Sequence, residues 1–382
     1  MKPEPISRIP SPPGKGERAR VRGYASRGNR LPLTPTLSPL SRGEGVFLKS
    51  PLLKLSQQKY SSLCVLCGCL VLLLPVATNN SFAQAWPTKS LRVVVPFTAA
   101  SATDTIARIV SERLGAQFGH NVVVENRPGA GGTIGVGTVA RAEPDGYSIL
   151  VHSSSFTVTP TTYPNTSYNT LRDFSGITPL ANLPNVLVIA PSRNIRSVKD
   201  LVAAAKAKPG TLTYASAGAG SATQLNAERF RLGAGFEGVH VPFKGTPEAL
   251  TEILTGRVDY YFCPVISVLQ FIKDGKLLAL AAGSSKRSSA LPEVLTTLEA
   301  GIPNSDYNFY VGMMLPSKTP RAVVDTLHKN VVTALQTPDT KERLAKLGAE
   351  PMLMKPAEFD AYIRKEITSN AALVKAAGVT TN

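Results

Sequence analysis

The sequence predicts an α/β fold in which helices cover largely parallel β-sheets. Short apolar runs alternate with segments whose apolar residues recur every three to four positions, and this alternation is typical of parallel sheets wrapped by helices. A second observation is a glycine-rich turn directly after a β-branched run at 122–125. The third is length, because a chain of 382 residues can form a large core and two lobes.

Apolar runs of three to six residues give the predicted strands. They lie at 91–96, 122–125, 148–152, 186–190, 239–241, 260–262 and 277–282. Helical spacing of apolar residues predicts the intervening helices. These lie at 105–118, 198–208, 223–232, 247–254 and 265–273, and a mostly helical end follows at 321–335, 341–347 and 357–376. No tandem repeat is visible in the sequence.

A turn built on glycine follows the second predicted strand. Within the string Glu125-Asn-Arg-Pro-Gly-Ala-Gly-Gly132, Pro128 fixes one φ angle, and three glycines permit angles that other residues avoid. A small-residue segment compatible with a helix comes next. Such a turn suits a helix N-terminus whose free N–H groups face a crevice. A purely structural turn is the alternative interpretation.

Read with its neighbours, this string resembles the periplasmic solute-binding receptors of tripartite tricarboxylate transporters, the Bug-type proteins. That family's hallmark is a near-identical string after its second strand. The resemblance extends from Trp86 to the C-terminus. Its further motifs occur in the family's order, at 91–97, 98–104, 216–221, 241–245, 256–259, 275–277, 291–294 and 299–301. Each motif is weak alone, so the ordered set carries the resemblance.

The resemblance implies a two-lobed, type II periplasmic-binding-protein-like architecture with a ligand crevice between the lobes. On this analogy the chain crosses between the lobes at 186–191 and at 310–316. Lobe 1 then comprises 86–190 plus 311–382, and lobe 2 comprises 191–310. The sequence contains no linker that marks these crossings.

An export signal precedes the predicted receptor. Lys49, Lys54 and Lys59 come before an apolar run at 63–77, and small residues follow at 83 and 85. These features describe a cleavable signal peptide at 46–85 and therefore a periplasmic protein. A retained anchor is the alternative, although the run is short for a membrane span. Residues 1–45 are rich in Pro, Gly and Arg, which predicts a disordered, non-native leader.

The leader accounts for most of the unusual composition. Together with the signal peptide it forms residues 1–85, which hold twelve of the 42 basic and three of the 26 acidic residues, so the net charge falls from +16 to +7 without them. This mildly basic remainder suits an anionic ligand but shows no basic patch interleaved with aromatic residues, as nucleic-acid binding needs. Cys64, Cys67 and Cys69 fall in the predicted signal peptide. Cys263 is left alone and is expected to be buried.

Ligands of open α/β sheets lie beyond the carboxyl ends of strands, so the loops after strands are the candidate binding sites. In the first loop, from Thr98 to Asp104, either Ser101 or Thr103 can cap the following helix, and Asp104 completes a Ser-x-x-Asp box. The family usually has two glycines where this chain has Ala100 and Ser101. The contacts of this loop are therefore expected to differ from those of the family.

Two further loops offer hydroxyls and free N–H groups. Three serines stand at 153–155, and the loop at 216–224 combines glycines with a capping box formed by Ser221 and Gln224. Family members commonly carry His at the position of Gln224. The predicted ligand-binding residues are Phe97, Thr98, Ala99, Ser101, Thr103, Asp104, Ser153, Ser154, Ser155, Ser216, Gly218, Gly220, Ser221, Gln224, Phe243, Asp259 and Pro264.

Enzymatic interpretations lack a supporting motif. Residues 218–222 do not form a Gly-x-Ser-x-Gly nucleophile elbow, and a Gly-x-Gly-x-x-Ala string at 135–140 lies inside a helix-compatible segment instead of between strand and helix. The four histidines, His120, His152, His240 and His328, lack metal-ligand spacing. No catalytic residue, cofactor or metal site is expected.

The sequence therefore predicts a monomeric, non-catalytic periplasmic receptor that captures a small carboxylate, or a related organic acid or amide. Helix N-termini and hydroxyls would hold the carboxylate without a buried arginine. The resemblance implies delivery to the permease subunits of a tripartite tricarboxylate transporter. A ligand-sensing module for a membrane sensor kinase and a periplasmic hydrolase are the alternatives. No nucleic-acid partner is expected.

Overall fold

The computed structural model describes residues 86–379. The predicted leader at 1–45 and the predicted signal peptide at 46–85 lie outside the described residues. Within the described part, none of the helices combines the length and the hydrophobicity that a membrane crossing requires. The chain forms two β-sheets with helices packed on them, which confirms the predicted two-lobed α/β fold.

The first lobe contains a six-stranded sheet. Its strands are β1 (Leu91–Val95), β2 (Val122–Asn126), β3 (Ser148–Ser153), β4 (Phe174–Asn182), β10 (Tyr310–Pro316) and β11 (Glu350–Pro351), in the spatial order β11-β4-β10-β3-β1-β2. Strand β1 is parallel to both β2 and β3, whereas β10 is antiparallel to β3 and β4. The carboxyl ends of β1, β2 and β3 therefore meet at one edge of the sheet.

Helices cover this first sheet. They are α1 (Ala102–Phe118), α2 (Thr133–Ala140), α3 (Thr159–Thr162), α4 (Thr170–Asp173), α9 (Arg321–Gln336), α10 (Pro338–Lys346) and α11 (Pro356–Ala377). Helix α1 buries Ile106, Val110 and Leu114, which share one face at a spacing of four. Helix α11 approaches β4 and β10 closely, because Gly176 and Gly312 leave room for the ring of Phe359.

The second lobe contains a five-stranded sheet. Its strands are β5 (Asn185–Ile189), β6 (Thr213–Ser216), β7 (Val239–Pro242), β8 (Tyr260–Pro264) and β9 (Leu278–Ala282), in the order β7-β6-β8-β5-β9. Its helices are α5 (Val198–Ala207), α6 (Ala222–Ala234), α7 (Thr246–Leu254) and α8 (Val265–Lys273). Cys263 on β8 is fully buried, as predicted, and this burial raises the pKa of its thiol well above the usual value.

The chain crosses between the lobes at other places than predicted. Residues 186–189 belong to β5, which pairs with β8 and β9 inside the second lobe, and 310–316 form β10 in the centre of the first sheet. The crossings are instead at 183–184 and at 306–309. There, the N–H of Leu183 donates to the carbonyl of Phe309 at 3.1 Å. The predicted crossings were placed on the family analogy, and the sequence has no linker to mark them; both segments are instead internal strands of the two sheets.

Candidate ligand-binding cleft

The loop after β1 is fixed by the start of helix α1. Ser101 is the N-cap, and its Oγ accepts a hydrogen bond from the N–H of Asp104 at 3.3 Å. In return, the Asp104 carboxylate accepts from the N–H of Ala100 at 2.9 Å. Of the two predicted caps, Ser101 and Thr103, the structure therefore selects Ser101. The N–H of Asp104 engages one lone pair of the Ser101 oxygen, which leaves the hydroxyl hydrogen to be donated into the cleft.

The Asn126 side chain ties this loop to the strand that precedes the glycine turn. Its Nδ2 donates to the carbonyl of Phe97 at 3.0 Å and to Asp104 Oδ1 at 2.9 Å. Burial alone would raise the pKa of Asp104, but hydrogen bonds from Arg108, Asn126 and Ala100 outweigh it and hold that pKa below its usual value. Asp104 is thus an ionised anchor of the loop, and its oxygens are engaged by protein donors.

The serines at 153–155 reach from the first lobe into the second. Ser153 Oγ donates to Ser155 Oγ at 2.9 Å, and the N–H of Ala222, the first residue of α6, donates to the same Ser155 oxygen at 2.8 Å. Ser155 Oγ therefore accepts two hydrogen bonds, and its own hydrogen is available to a third group. Ser154 is fully buried beside them.

The loop between β6 and α6 forms the facing wall. Ser221 caps α6, with its Oγ accepting from the N–H of Gln224 at 3.3 Å. In a capping box, the Gln224 side chain would accept from the N–H of the cap residue, Ser221. Here Gln224 Oε1 accepts instead from the N–H of the preceding residue, Gly220, at 2.7 Å. Gly220 is thereby engaged by the protein and does not offer its N–H to a ligand.

A serine and a histidine stand together behind this loop. Ser216 Oγ lies 2.6 Å from His240 Nε2. The structure therefore contains a hydroxyl–imidazole pair, which no sequence motif revealed. Ser216 is fully buried, and it does not line the pocket described below. The amide of Gln224, not a carboxylate, lies against the other ring nitrogen at 3.1 Å. The amide in the third position and the burial of Ser216 distinguish this arrangement from a Ser-His-Asp triad.

The glycine turn at 129–132 packs against the second lobe. A side chain at Gly131, which has φ +61°, would lie 2.4 Å from the Ala219 carbonyl, so only glycine allows this approach. Tyr163, also in the first lobe, donates from its hydroxyl to the same carbonyl at 3.0 Å. The turn, which was predicted to form a wall of the crevice, therefore also makes a direct contact between the lobes.

A small pocket lies where these loops meet. It is lined by Phe97, Ser101, Ala102, Thr103, Ser153, Ser155, Ala217, Ser221, Thr223, Thr246, Pro264 and Phe309. Its volume of about 20 Å³ accommodates roughly one water molecule. The lobes are therefore closed on each other, and any molecule larger than water requires them to separate before it can enter.

Apart from Asp259, the predicted site residues fall into four groups. Those that line the pocket are Phe97, Ser101, Thr103, Ser153, Ser155, Ser221 and Pro264. Gly218 and Phe243 line a wider groove at the mouth of the cleft, and Thr98 donates to Glu248 of the second lobe at 3.2 Å. Asp104, Ser216, Gly220 and Gln224 hold the loops from behind through hydrogen bonds, and Ser154 is buried beside them. Ala99 faces an outer groove between α1 and α10.

Asp259 is the clearest correction to the predicted site. It precedes β8, whereas Pro264 at the other end of that strand lines the pocket. Its carboxylate accepts from the N–H and the Oγ1 of Thr213, at 2.7 and 2.8 Å, and pairs with Arg193. Because β6 and β8 are parallel, their amino ends meet at the edge of the sheet that faces away from the cleft.

Several pocket residues were missed in the sequence. They are Ala102, Ala217, Thr223, Thr246 and Phe309. Thr246 begins α7 directly after β7, so the rule that placed the other loops could have found it. Phe309 lies on a crossing that the sequence does not mark. Within residues 86–379, no three metal-ligating side chains are clustered.

Comparison with known proteins places this cleft in a family. A model of the tripartite tricarboxylate transporter family receptors matches residues 106–379. The chain belongs to this family. The resemblance noted in the sequence is thereby confirmed, and members of the family are periplasmic binding proteins, a class distinct from enzymes.

Three proteins to which this receptor is similar span nearly its whole described part. BugT of Bordetella pertussis is 33% identical over 298 residues, covering 78% of this chain and 91% of BugT. The structure of R. palustris Rpa4515 with adipate has 29% identity and a TM-score of 0.75, covering 78% of this chain and 100% of that one. The structure of MatC from Rhodopseudomonas palustris with bound malate has 27% identity and a TM-score of 0.72, covering 76% and 100%.

Proposed function

We propose that this receptor captures a small carboxylate in the pocket between its lobes. The observation that carries the proposal is the direction of the serine hydroxyls. Ser101 and Ser155 accept from backbone N–H groups, so their own hydrogens remain to be donated. Ser221 accepts from the N–H of Gln224 and shares a 3.0 Å hydrogen bond with Thr223 Oγ1, in which either hydroxyl can donate. All three residues line the pocket. A carboxylate accepts hydrogen bonds only and therefore matches this set of donors.

The helix termini add to this preference for an anion. Helices α1 and α6 both begin at the pocket, with Ser101 and Ser221 as their N-caps. Each helix N-terminus carries roughly half a positive charge and N–H groups without helical partners. Two such termini face each other across the pocket. The adipate and malate bound by the two similar structures support a ligand with two carboxyl groups.

The site holds the anion without a buried counter-ion. Among the described residues, those that line the pocket are all uncharged. A neutral site avoids the cost of burying a guanidinium or ammonium group in the empty receptor. The closed pocket is too small for a dicarboxylate, so ligand entry requires separation of the lobes. The contacts between the lobes would then re-form around the ligand.

The receptor acts outside the cytoplasm and delivers its ligand to the membrane permease of a tripartite tricarboxylate transporter. Residues 46–85 have the features of a cleavable signal peptide, and cleavage would leave Gln84 or Trp86 first. Trp86 packs edge-on against Phe118 with ring centroids 5.5 Å apart, which supports a folded domain beginning there. Intact-mass measurement of the secreted protein tests the cleavage, and ligand uptake by cells with and without the receptor tests the delivery.

A comparison of adipate with its diamide, adipamide, tests the ligand class. The two molecules have nearly the same shape. The amide groups of adipamide, however, carry N–H donors, which would face the hydrogen-bond donors of the pocket. We expect adipate to bind at least a hundredfold more tightly in calorimetry, because unmatched buried donors are costly. Equal or tighter binding of adipamide would contradict the proposal. A wider set of dicarboxylic acids and their diamides extends the same comparison.

A further inference from the structure

A continuous chain of hydrogen bonds runs behind the loop at 216–221. Its first member is the N–H of Gly220, which donates to Gln224 Oε1 at 2.7 Å. Because a backbone N–H can only donate, this bond fixes which end of the Gln224 amide is oxygen. The other end, Nε2, is therefore the donor that lies 3.1 Å from His240 Nδ1.

This arrangement determines the tautomer of His240. Its Nδ1 accepts from Gln224 and so carries no hydrogen, which leaves the ring hydrogen on Nε2. The Nε2–H then donates to Ser216 Oγ at 2.6 Å. Ser216 Oγ in turn donates to the Gly218 carbonyl at 3.0 Å and lies 3.1 Å from the Gly218 N–H. Both glycines of the loop are thus linked to one imidazole ring on β7.

We propose that His240, in its neutral Nε2–H form, is a positioning residue that holds the loop at 216–221 and the start of α6 in their ligand-binding arrangement. The importance of this loop rests on the proposed function, but the arrangement itself is a property of the unliganded protein. His240 does not line the pocket, so it acts through Gln224 and Ser216 and does not contact the ligand.

The chain of hydrogen bonds has a direct consequence for pH. A second proton on His240 would occupy Nδ1, where it would face the N–H donors of Gln224, and one of the two groups would have to move. Burial lowers the His240 pKa to about 4. The arrangement is therefore intact at neutral pH and is lost as the pH falls toward 4.

The surroundings of the ring do not compensate this extra charge. Tyr214 of β6 stacks on His240, with ring centroids 5.1 Å apart. Burial, and then the neighbouring Glu228, raise the Tyr214 pKa, so this phenol stays neutral throughout. Behind Tyr214, Glu228 of α6 is paired with Arg231. Its negative charge is thus already matched within the second lobe.

The test follows the amide signals of Gly218 and Gly220 by nuclear magnetic resonance in the unliganded protein. In the wild type, we expect the Gly220 amide to be protected from hydrogen exchange at pH 7 and to lose protection with a midpoint near pH 4. In His240→Gln, the side-chain amide can accept from Gln224 and donate to Ser216 but does not titrate. Protection should therefore remain, and the midpoint should vanish.

Two further variants complete the experiment. His240→Phe keeps an aromatic ring but removes both hydrogen bonds, so protection of Gly220 should fall at least tenfold at pH 7 while the rest of the sheet stays protected. His328→Gln, a histidine of the first lobe that contacts the Ile177 carbonyl, should behave as the wild type.

An unchanged midpoint in His240→Gln would overturn the proposal, as would full protection of Gly220 in His240→Phe. If His240→Phe does not fold, the pH profile of His240→Gln decides alone. Because no ligand is added, the outcome is independent of whether adipate or any other carboxylate binds.

Discussion

Ser155 Oγ, in the first lobe, accepts a hydrogen bond of 2.8 Å from the backbone N–H of Ala222, the first residue of α6 in the second lobe. A helix N-terminus is a ready site for an anion, and here a hydroxyl from the opposite lobe already contacts it. Ser155 therefore has two roles in this conformation. It closes the cleft across the lobes, and it stands where a ligand carboxylate would compete for the same donor.

Replacement of Ser155 by alanine should open the unliganded receptor. The lost bond is a neutral hydrogen bond worth about 0.5–1.5 kcal/mol, so the ratio of closed to open molecules should fall about twofold to tenfold. Small-angle scattering should then show a larger radius of gyration without ligand. The control is Ser111→Ala, which removes a buried hydroxyl of α1 that has no hydrogen-bond partner within the described part. Equal radii for the two variants would refute the closing role of Ser155.

Replacement of Ala100 by glycine should stabilise the protein. It has φ +62°, a left-handed conformation that costs a residue with a side chain about 1–2 kcal/mol. Glycine removes this cost but loses more entropy on folding, so we expect Ala100→Gly to gain about 0.5–1 kcal/mol of unfolding free energy. Ala99→Gly, its exposed neighbour without a positive φ, should lose about as much. Denaturant titration of both variants measures the difference, and a destabilised Ala100→Gly would be the contrary result.

Much of this fold follows from the spacing of apolar residues. All seven predicted strands occur, with ends that differ by two residues or fewer. Strand β6 was missed because Thr213–Ser216 contains a single aromatic residue among small ones, too few apolar positions to show a period. Strand β4 includes a glycine and a proline, which usually signal a turn. Tertiary pairing overrides such local preferences.

The predicted loops converge on one pocket because they follow strands, whereas the hydrogen bonds of individual residues within them were not determined by the sequence. The sequence of Gln224 and Ser221 fits a capping box, yet in the folded protein the Gln224 side chain is hydrogen-bonded to Gly220 and His240. Asp259 was assigned to the cleft through a motif, although the direction of β8 places it at the far edge. Contacts between residues distant in sequence, such as Thr213 and Asp259, have no local signature.

Asp259 should matter for stability and not for binding. Asp259→Asn weakens its ion pair with Arg193 and the hydrogen bonds from Thr213, which should cost roughly 2–3 kcal/mol of unfolding free energy. Affinity for adipate should remain within twofold of the wild type, because the side chain lies at the opposite end of β8 from the pocket. Asp200→Asn, on the exposed start of α5, is the control for a surface carboxylate. A tenfold loss of affinity in Asp259→Asn would restore this residue to the site.

Ser101 and Ser221 should each contribute to stability and to ligand binding. A third capping serine, Ser197, serves as a control that separates these two contributions. Ser197 caps α5 in the same way, with its Oγ accepting from the N–H of Asp200 at 3.1 Å, but it does not line the pocket. Loss of any of the three caps by substitution with alanine should cost about 0.5–2 kcal/mol of unfolding free energy. Unfolding by denaturant in the absence of ligand should therefore give similar values for the three variants.

Binding should distinguish the pocket serines from Ser197. Ser101→Ala and Ser221→Ala also lose a hydrogen bond to a charged carboxylate, worth roughly 1.5–3 kcal/mol, so calorimetry with adipate should show affinity reduced about tenfold or more. Ser197→Ala should bind as the wild type does. The ratio of affinities between Ser221→Ala and Ser197→Ala is the decisive quantity, because the loss of a helix cap is common to both. A ratio of one would reduce Ser221 to a structural cap and move the carboxylate to another part of the cleft.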